Sequence, residues 1–135
     1  MNNVKIIAEA GVNHNGKVSL ARKLIEVASQ AGADAVKFQT FLTDATVTKH
    51  AEKAEYQKSY DKGHTDQFSM IKNLELSFDD FSELNEYAKE LSIQFLSTAF
   101  DLESLNYLES INLPLHKVAS GEITNLPYLR QVGSK

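Results

Sequence analysis

Hydrophobic and polar positions alternate along this chain in a way that predicts strands and helices in turn. Val4 to Ala8 is a short run of β-formers around one lysine and reads as a buried strand. Gly11 to Lys17 is polar and glycine-bearing, a loop by composition. From Val18 to Ala31 the apolar positions Leu20, Ala21, Leu24, Ile25, Val27, Ala28 and Ala31 recur at helical spacing. Gly32 follows where a helix-ending glycine belongs. Ala33 to Thr40 ("ADAVKFQT") is a second strand with Lys37 inside it. Strand, loop, helix, glycine, strand is one βαβ unit, and it implies a parallel pair.

The pattern then lapses. Phe41 to Thr65 is polar and shows no clear period. It is long for a strand-to-helix connection, and loops of that length usually carry function or stay disordered. A short helix is predicted over Gln67 to Leu74. Ser77, with Asp80 three positions on, caps a helix whose apolar stripe is Phe78, Phe81, Leu84, Tyr87, Ala88 and Leu91. Ile93 to Thr98 is a third strand. Asp101 caps a helix reaching about Ile111, with Leu102, Leu105, Leu108 and Ile111 on one side. Pro114 breaks the chain, Leu115 to Ala119 is a fourth strand, and a last helix begins near Leu126.

The predicted order is β-α-β-loop-α-β-α-β-α. It suits a parallel α/β architecture. No GxGxxG follows the first strand and there is no P-loop, so nothing signals a dinucleotide-binding sheet. The alternative is part of a (β/α)₈ TIM barrel, a fold of about 250 residues. Four strands in 135 residues supply half of one. The last helix has barely begun at Lys135, so the chain reads as part of a longer enzyme.

Composition narrows the chemistry. Hydrophobic residues make up 42% and charged residues 24%, as in ordinary globular proteins. The net charge of -4 offers no basic stripe for nucleic acid. There is no cysteine, which removes thiolate metal sites and thiol nucleophiles. No apolar run approaches the roughly 20 residues of a membrane span, and the N-terminus lacks a signal-peptide core. The expected location is the cytoplasm, with no membrane partner.

In both parallel architectures sites form at the C-terminal ends of strands. The first strand delivers Glu9, Asn13, His14 and Asn15 there. The second delivers Lys37, Gln39 and Thr40, the third Ser97 and Thr98, and the fourth Lys117, Ser120 and Glu122, with Thr124 and Asn125 behind. A lysine in a buried strand is costly unless an anion meets it. Lys37 and Lys117, with the hydroxyls of Ser97, Thr98 and Ser120, would cradle a phosphate or carboxylate. Glu9 and Glu122 could act as acid–base groups or hold sugar hydroxyls. The plainer alternative is that Lys37 and Glu9 form a structural ion pair. His14 alone is more often a hydrogen-bonded loop residue than a ligand, and His50, His64 and His116 show no metal-ligand spacing with it. The charged run from Glu52 to Lys62 reads as a solvated loop, although Tyr56 and Gln57 could reach a substrate.

Six segments make the resemblance specific: "IIAEAGVNHNG", "AGADAVKFQTF", "EYQKS", "LELSFDDFSEL", "FLSTAFDLES" and "KVASGEITNLPYL", in that order. Together, over about residues 4 to 132, they resemble the N-terminal half of the sialic acid synthase family, which includes neuraminate, legionaminate and pseudaminate synthases. The resemblance implies a (β/α)₈ barrel, followed in full-length members by an antifreeze-like domain, and a domain-swapped homodimer. It implies condensation of phosphoenolpyruvate with an N-acetylated sugar, N-acetylmannosamine or a diacetylated analogue, to a nine-carbon 2-keto acid. Phosphate is released, and a divalent metal, Mn²⁺ or Mg²⁺, is required.

Carried over position by position, the resemblance places Lys37, Thr98, Lys117 and Ser120 on phosphoenolpyruvate. Glu9 would hold the acceptor sugar, and Glu122 would handle the proton of the attacking water. Gln39, Asn13 and His14 join the substrate-binding set by their place at the strand ends. The family commonly reads "STPF" where this chain has Ser97-Thr98-Ala99-Phe100, which loosens the backbone after Thr98. The family's metal-ligating histidines and the partner's arginine fall beyond Lys135. The 135 residues alone are therefore expected to be inactive, and a half barrel with open edges is expected to self-associate. A related synthase of the 2-keto-3-deoxy-octonate type is disfavoured by "VNHNG" and "ASGEITN", and a half barrel that binds anions without turnover is the other alternative. The acceptor is not fixed by the residues; the loop from Phe41 to Thr65 is expected to contribute to that choice.

Overall fold

A computed structural model of the chain describes residues 4–49, 51–52 and 66–134. His50, Tyr56, Gln57 and His64, and most of the charged run after Glu52, lie outside the described residues. The elements are β1 (Ile7–Gly11), α1 (Val18–Gln30), β2 (Ala35–Thr40), α2 (Thr43–Thr46), α3 (Gln67–Lys72), α4 (Phe78–Glu90), β3 (Gln94–Ala99), α5 (Leu102–Ser110), a 3₁₀ turn (Ser120–Glu122) and α6 (Leu126–Gly133).

The strands form one parallel sheet in the order β1-β2-β3. Ile7 pairs with Ala35, Glu9 with Lys37, Lys37 with Leu96, and Gln39 with Thr98. The two connecting helices, α1 and α4, pack against each other. Arg22 of α1 reaches Glu83 of α4 at 2.5 Å and lies over the Tyr87 ring, and the Tyr87 hydroxyl donates to Glu26 at 2.8 Å. Both crossovers therefore lie on one face of the sheet. A doubly wound sheet needs a reversal of strand order and helices on both faces. The described residues show neither; a parallel sheet with both crossovers on one face is consistent with part of a barrel.

The face under the helices is the core. Ile25 and Ala28 of α1 and Phe81, Leu84 and Ala88 of α4 meet Val36, Phe38 and Phe95 of the sheet, all buried. Each large side chain there contributes about 1.5–3 kcal/mol of burial free energy. Three helices end alike. Gly32, Ser92 and Asn112 sit at φ +76°, +55° and +55° just past α1, α4 and α5. The next residues, Ala33, Ile93 and Leu113, donate back to Ala28, Ala88 and Leu108, closing Schellman motifs. Ser77 and Asp80 form the full capping box at the start of α4, with exchanged bonds of 2.8 and 3.1 Å.

The expected fourth strand is absent from the sheet of the described residues. Leu115 and Lys117 are exposed, and only Val118 and Ala119 pack inward. Parallel strands persist where both faces are covered, and here the segment has cover only at its far end. It runs instead into a second cluster, in which Val118 joins Ala99, Leu105, Leu108 and Tyr128. The first strand is also displaced from the sequence reading, to Ile7–Gly11, and Val4 and Ile6 ahead of it are exposed.

Candidate functional site

Strand alternation sorts the polar residues at the sheet's end. Glu9, Lys37, Gln39 and Thr98 share the face away from the helices through their register. Lys37 is only 7% exposed, and its Nζ lies 2.7 Å from a Glu9 carboxylate oxygen. The same ammonium donates to the hydroxyl of Thr98 at 3.4 Å, and Thr98 is 1% exposed. Three strands thus converge on one buried cation. The Glu9 side chain keeps 54% of its surface exposed, so the pair is open to solvent on the carboxylate side. An incoming anion can meet Lys37 there only by displacing or sharing Glu9.

A bulge makes this geometry. The register between β1 and β2 slips between Glu9 and Gly11, and Gly11 has φ +54°. A Cβ at Gly11 would stand 3.3 Å from a Glu9 carboxylate oxygen and 3.6 Å from the Gln39 amide nitrogen. Glycine at this position lets the β1 backbone turn close behind both side chains.

Two expected members point the other way. Ser97 was grouped with Thr98, but adjacent strand residues face opposite sides. Its hydroxyl bonds that of Thr40 at 2.7 Å on the helix-covered face, and both residues are buried. His14, expected among the substrate-binding groups at the mouth, is fully buried instead. Its Nδ1 accepts the Gly16 N–H at 3.1 Å and its ring leans on Phe38 at 6.1 Å between centroids. Burial pushes its imidazole below the ordinary histidine pKa. His14 is a hydrogen-bonded loop histidine that shapes the β1–α1 turn. Gly16 completes that turn at φ +69°, where a Cβ would collide with the Asn73 carbonyl. Asn13 is exposed, and its backbone N–H donates to the Ala10 carbonyl at 3.1 Å.

The residues after β3 are gathered less tightly. Lys117 and Ser120 are exposed, and their side chains bond no described residue. Glu122 accepts from the Asn125 amide at 2.7 Å and faces Gln39 across a cleft of about 420 Å³. Asn125 also caps α6 by accepting the Tyr128 N–H at 3.3 Å. Tyr128 is buried, and its hydroxyl donates to the Ala99 carbonyl at 2.9 Å. That bond ties α6, and with it Glu122, to the end of β3.

The spacing of the sequence did not reveal one further group. Asp101 accepts from the Leu42 N–H at 2.9 Å and from Ser104 through both backbone and hydroxyl at 2.7 Å. Glu75 accepts the Thr43 N–H at 2.8 Å and its hydroxyl at 2.6 Å, while Lys72 reaches its other oxygen at 2.7 Å. Burial alone would raise the Glu75 carboxyl, but the Lys72 and Thr43 bonds outweigh it and leave it below its ordinary pKa. These two carboxylates pin the chain leaving β2, and α2 with it, beside the cleft. Asp101 was visible in the sequence only as a helix cap. Among the described residues no group of three or more His, Cys, Asp or Glu could hold a metal ion.

A family model for the NeuB family matches residues 24–135. The chain belongs to the NeuB family. It is 52% identical over 130 residues to the N,N'-diacetyllegionaminic acid synthase of Legionella pneumophila, covering 96% of this chain and 36% of that protein. It is 35% identical to the N-acetylneuraminate-9-phosphate synthase of Mus musculus, again over 96% of this chain and 36% of the relative. The fold matches a crystal structure of N-acetylneuraminic acid synthetase from Leptospira borgpetersenii in complex with citrate, with a TM-score of 0.77 and 29% identity over 99% of this chain and 45% of that one. A second match is the spore coat polysaccharide biosynthesis protein SpsE of Bacillus subtilis, with a TM-score of 0.70 and 38% identity over 96% and 33%. This NeuB chain spans 36 to 40% of the length of the curated legionaminic acid synthases it matches. Among its described residues no helix is long and apolar enough to cross a membrane.

Proposed function

We propose that this chain is the first part of a (β/α)₈ synthase barrel that joins phosphoenolpyruvate to an N-acetylated sugar. The supporting observation is the buried Lys37 ammonium held between Glu9 and Thr98 across three parallel strands, in a chain of the NeuB family. Lys37 offsets the phosphate or carboxylate charge of phosphoenolpyruvate, and the Thr98 hydroxyl orients it. Lys117 and Ser120 join that anion site once the segment after α5 is drawn onto the edge of β3. Glu9, released from Lys37 by the anion, is free to accept hydroxyl protons of the acceptor. The methylene carbon of phosphoenolpyruvate attacks the sugar aldehyde, and water adds at the enol carbon while Glu122 takes its proton. Collapse of the tetrahedral adduct releases phosphate and leaves the 2-keto acid. We assign no step to the metal, because no described group could hold it.

The acceptor is N-acetylmannosamine or a diacetylated analogue, the working form is a homodimer, and the location is cytoplasmic. A binding module without turnover is the second reading, for which the Lys37 cluster by itself would suffice. Incubation with phosphoenolpyruvate, N-acetylmannosamine and Mn²⁺ separates the possibilities. The chain alone is expected to make no keto acid. A chimera in which residues 1–135 replace the matching part of the Legionella relative is expected to make it, and to lose at least 100-fold in kcat/KM on Lys37→Ala. Turnover by the isolated chain would overturn the inactive-part reading, and full activity of the Lys37→Ala chimera would overturn the anion site.

A further inference from the structure

The turn between β1 and α1 carries a chemical hazard that its geometry holds in check. Asn15–Gly16 is the one Asn–Gly pair in the chain. Asn15 sits at φ +51° and Gly16 at φ +69°, and the Lys17 N–H donates to the His14 carbonyl at 3.0 Å. Two positive φ angles enclosed by such a bond make a type I′ turn, for which Asn–Gly is the favoured pair. The same pair is the one most prone to close a ring on its own backbone. Glycine has no side chain to hinder the approach of its nitrogen to the Asn15 carboxamide carbon. Loss of the Gly16 N–H proton and attack on that carbon expel ammonia and leave a five-membered succinimide. Water then opens either imide carbonyl, which gives aspartate or isoaspartate at position 15.

The ring cannot close while the turn is intact. Closure requires rotation about the Asn15 Cα–C bond, away from its angle in a type I′ turn. That rotation breaks the bond between Lys17 and His14. It also withdraws the Gly16 N–H from His14 Nδ1, which accepts it at 3.1 Å. His14 is fully buried with its ring against Phe38, so this acceptor is fixed in the core. Gly16 packs so closely on the α3–α4 connection that a Cβ would collide with the Asn73 carbonyl oxygen. The Asn15 side chain, by contrast, is exposed and bonds no described residue. Among the described residues, then, the restraint falls on the attacking nitrogen. We propose that Asn15 is a latent self-modification site, held shut by the clasp of His14 on the Gly16 N–H and converted to aspartate or isoaspartate when the turn opens. Isoaspartate routes the main chain through the former side chain, one methylene longer, so the turn cannot close over His14 again. This site stands apart from the Lys37 cluster and does not depend on the synthase reading.

The test incubates the 135-residue chain at pH 7.5, folded in buffer and unfolded in urea. Peptide mass spectrometry follows deamidation at Asn15 and separates aspartate from isoaspartate. The folded chain is expected to deamidate about 10-fold or more slowly than the unfolded one, because reaction waits on local opening. His14→Ala, with folding checked by circular dichroism, is expected to speed the reaction in buffer about 5-fold or more, the weight of one lost hydrogen bond. His14→Gln is expected to restore most of the protection, and all three chains should react alike in urea. Equal native rates in buffer and in urea overturn the inference. An unchanged rate in folded His14→Ala also overturns it, as does a slower one, which would make Nδ1 the base that activates the nitrogen. If His14→Ala does not fold, hydrogen exchange at the native Gly16 amide decides. Protection by the same factor as the slowing of deamidation supports the clasp, and free exchange overturns it.

Discussion

His14 shows how a residue that looks chemical can be structural. Its ring fills space beside Phe38, its Nδ1 holds the Gly16 N–H, and its Nε2 is buried without a partner. Charging the ring would put its second proton on Nδ1, which already accepts the Gly16 N–H, and burial disfavours the charge, so the folded state keeps the imidazole neutral where the unfolded chain would already bind a proton. The contribution is therefore complete above the ordinary histidine pKa of about 6.5 and drains away as pH falls below it. Thermal unfolding followed by circular dichroism is expected to give a lower Tm at pH 5 than at pH 7.5. His14→Gln, which keeps an acceptor for Gly16, is expected to reduce that difference. An unchanged pH dependence in the variant would contradict this account of His14.

The same scale explains which site residues could be read from sequence. Lys37 stood out because an ammonium within "AVKFQT" demands a partner, and Glu9 and Thr98 meet it. The ion pair and the proposed anion cradle share Lys37, so the two readings draw on the same residues. Ser97 and His14 misled because proximity in sequence says nothing of side: one strand step turns Ser97 to the core, and a tight turn folds His14 inward. Glu75 was invisible because its partner, Thr43, lies 32 residues away.

At the scale of elements, periodicity located the helices well, since α1, α4 and α5 each bury a stripe against the sheet and carry recognisable ends. The segment 115–119 failed as a strand because β-like composition only becomes a strand when a neighbour supplies the ladder and both faces are covered. Its place beside the site depends instead on α6, and α6 depends on Tyr128. Removing the Tyr128 hydroxyl leaves the buried Ala99 carbonyl without that bond. Tyr128→Phe is expected to cost about 1–2 kcal/mol in urea unfolding and to loosen Glu122 and Asn125. Wild-type stability in the variant would show that α6 is held by apolar packing alone.

At the scale of the molecule, the sheet of the described residues has two unpaired edges, along β1 and β3. Val4, Ile6 and Ile7 are exposed near the first of them, as is Val27 of α1 beside the groove that flanks β1. Unpaired backbone flanked by apolar side chains is a template for association. The 135-residue chain is expected to run as a dimer or larger species in light scattering, and a monodisperse monomer at high concentration would count against it. The single direction of winding puts α1 and α4 on one side of the sheet and Lys37 on the other.

Calorimetric titration of the chain with phosphoenolpyruvate tests the central claim most directly. Lys37→Met is the matched control, because the Glu9 carboxylate keeps 54% of its surface in solvent and is not left as a buried unpaired charge, and its Tm is measured alongside to confirm that it folds. The account predicts saturable binding by the native chain and at least a 10-fold weaker affinity in Lys37→Met. No heat of binding to the folded native chain, or equal binding by the variant, would contradict it.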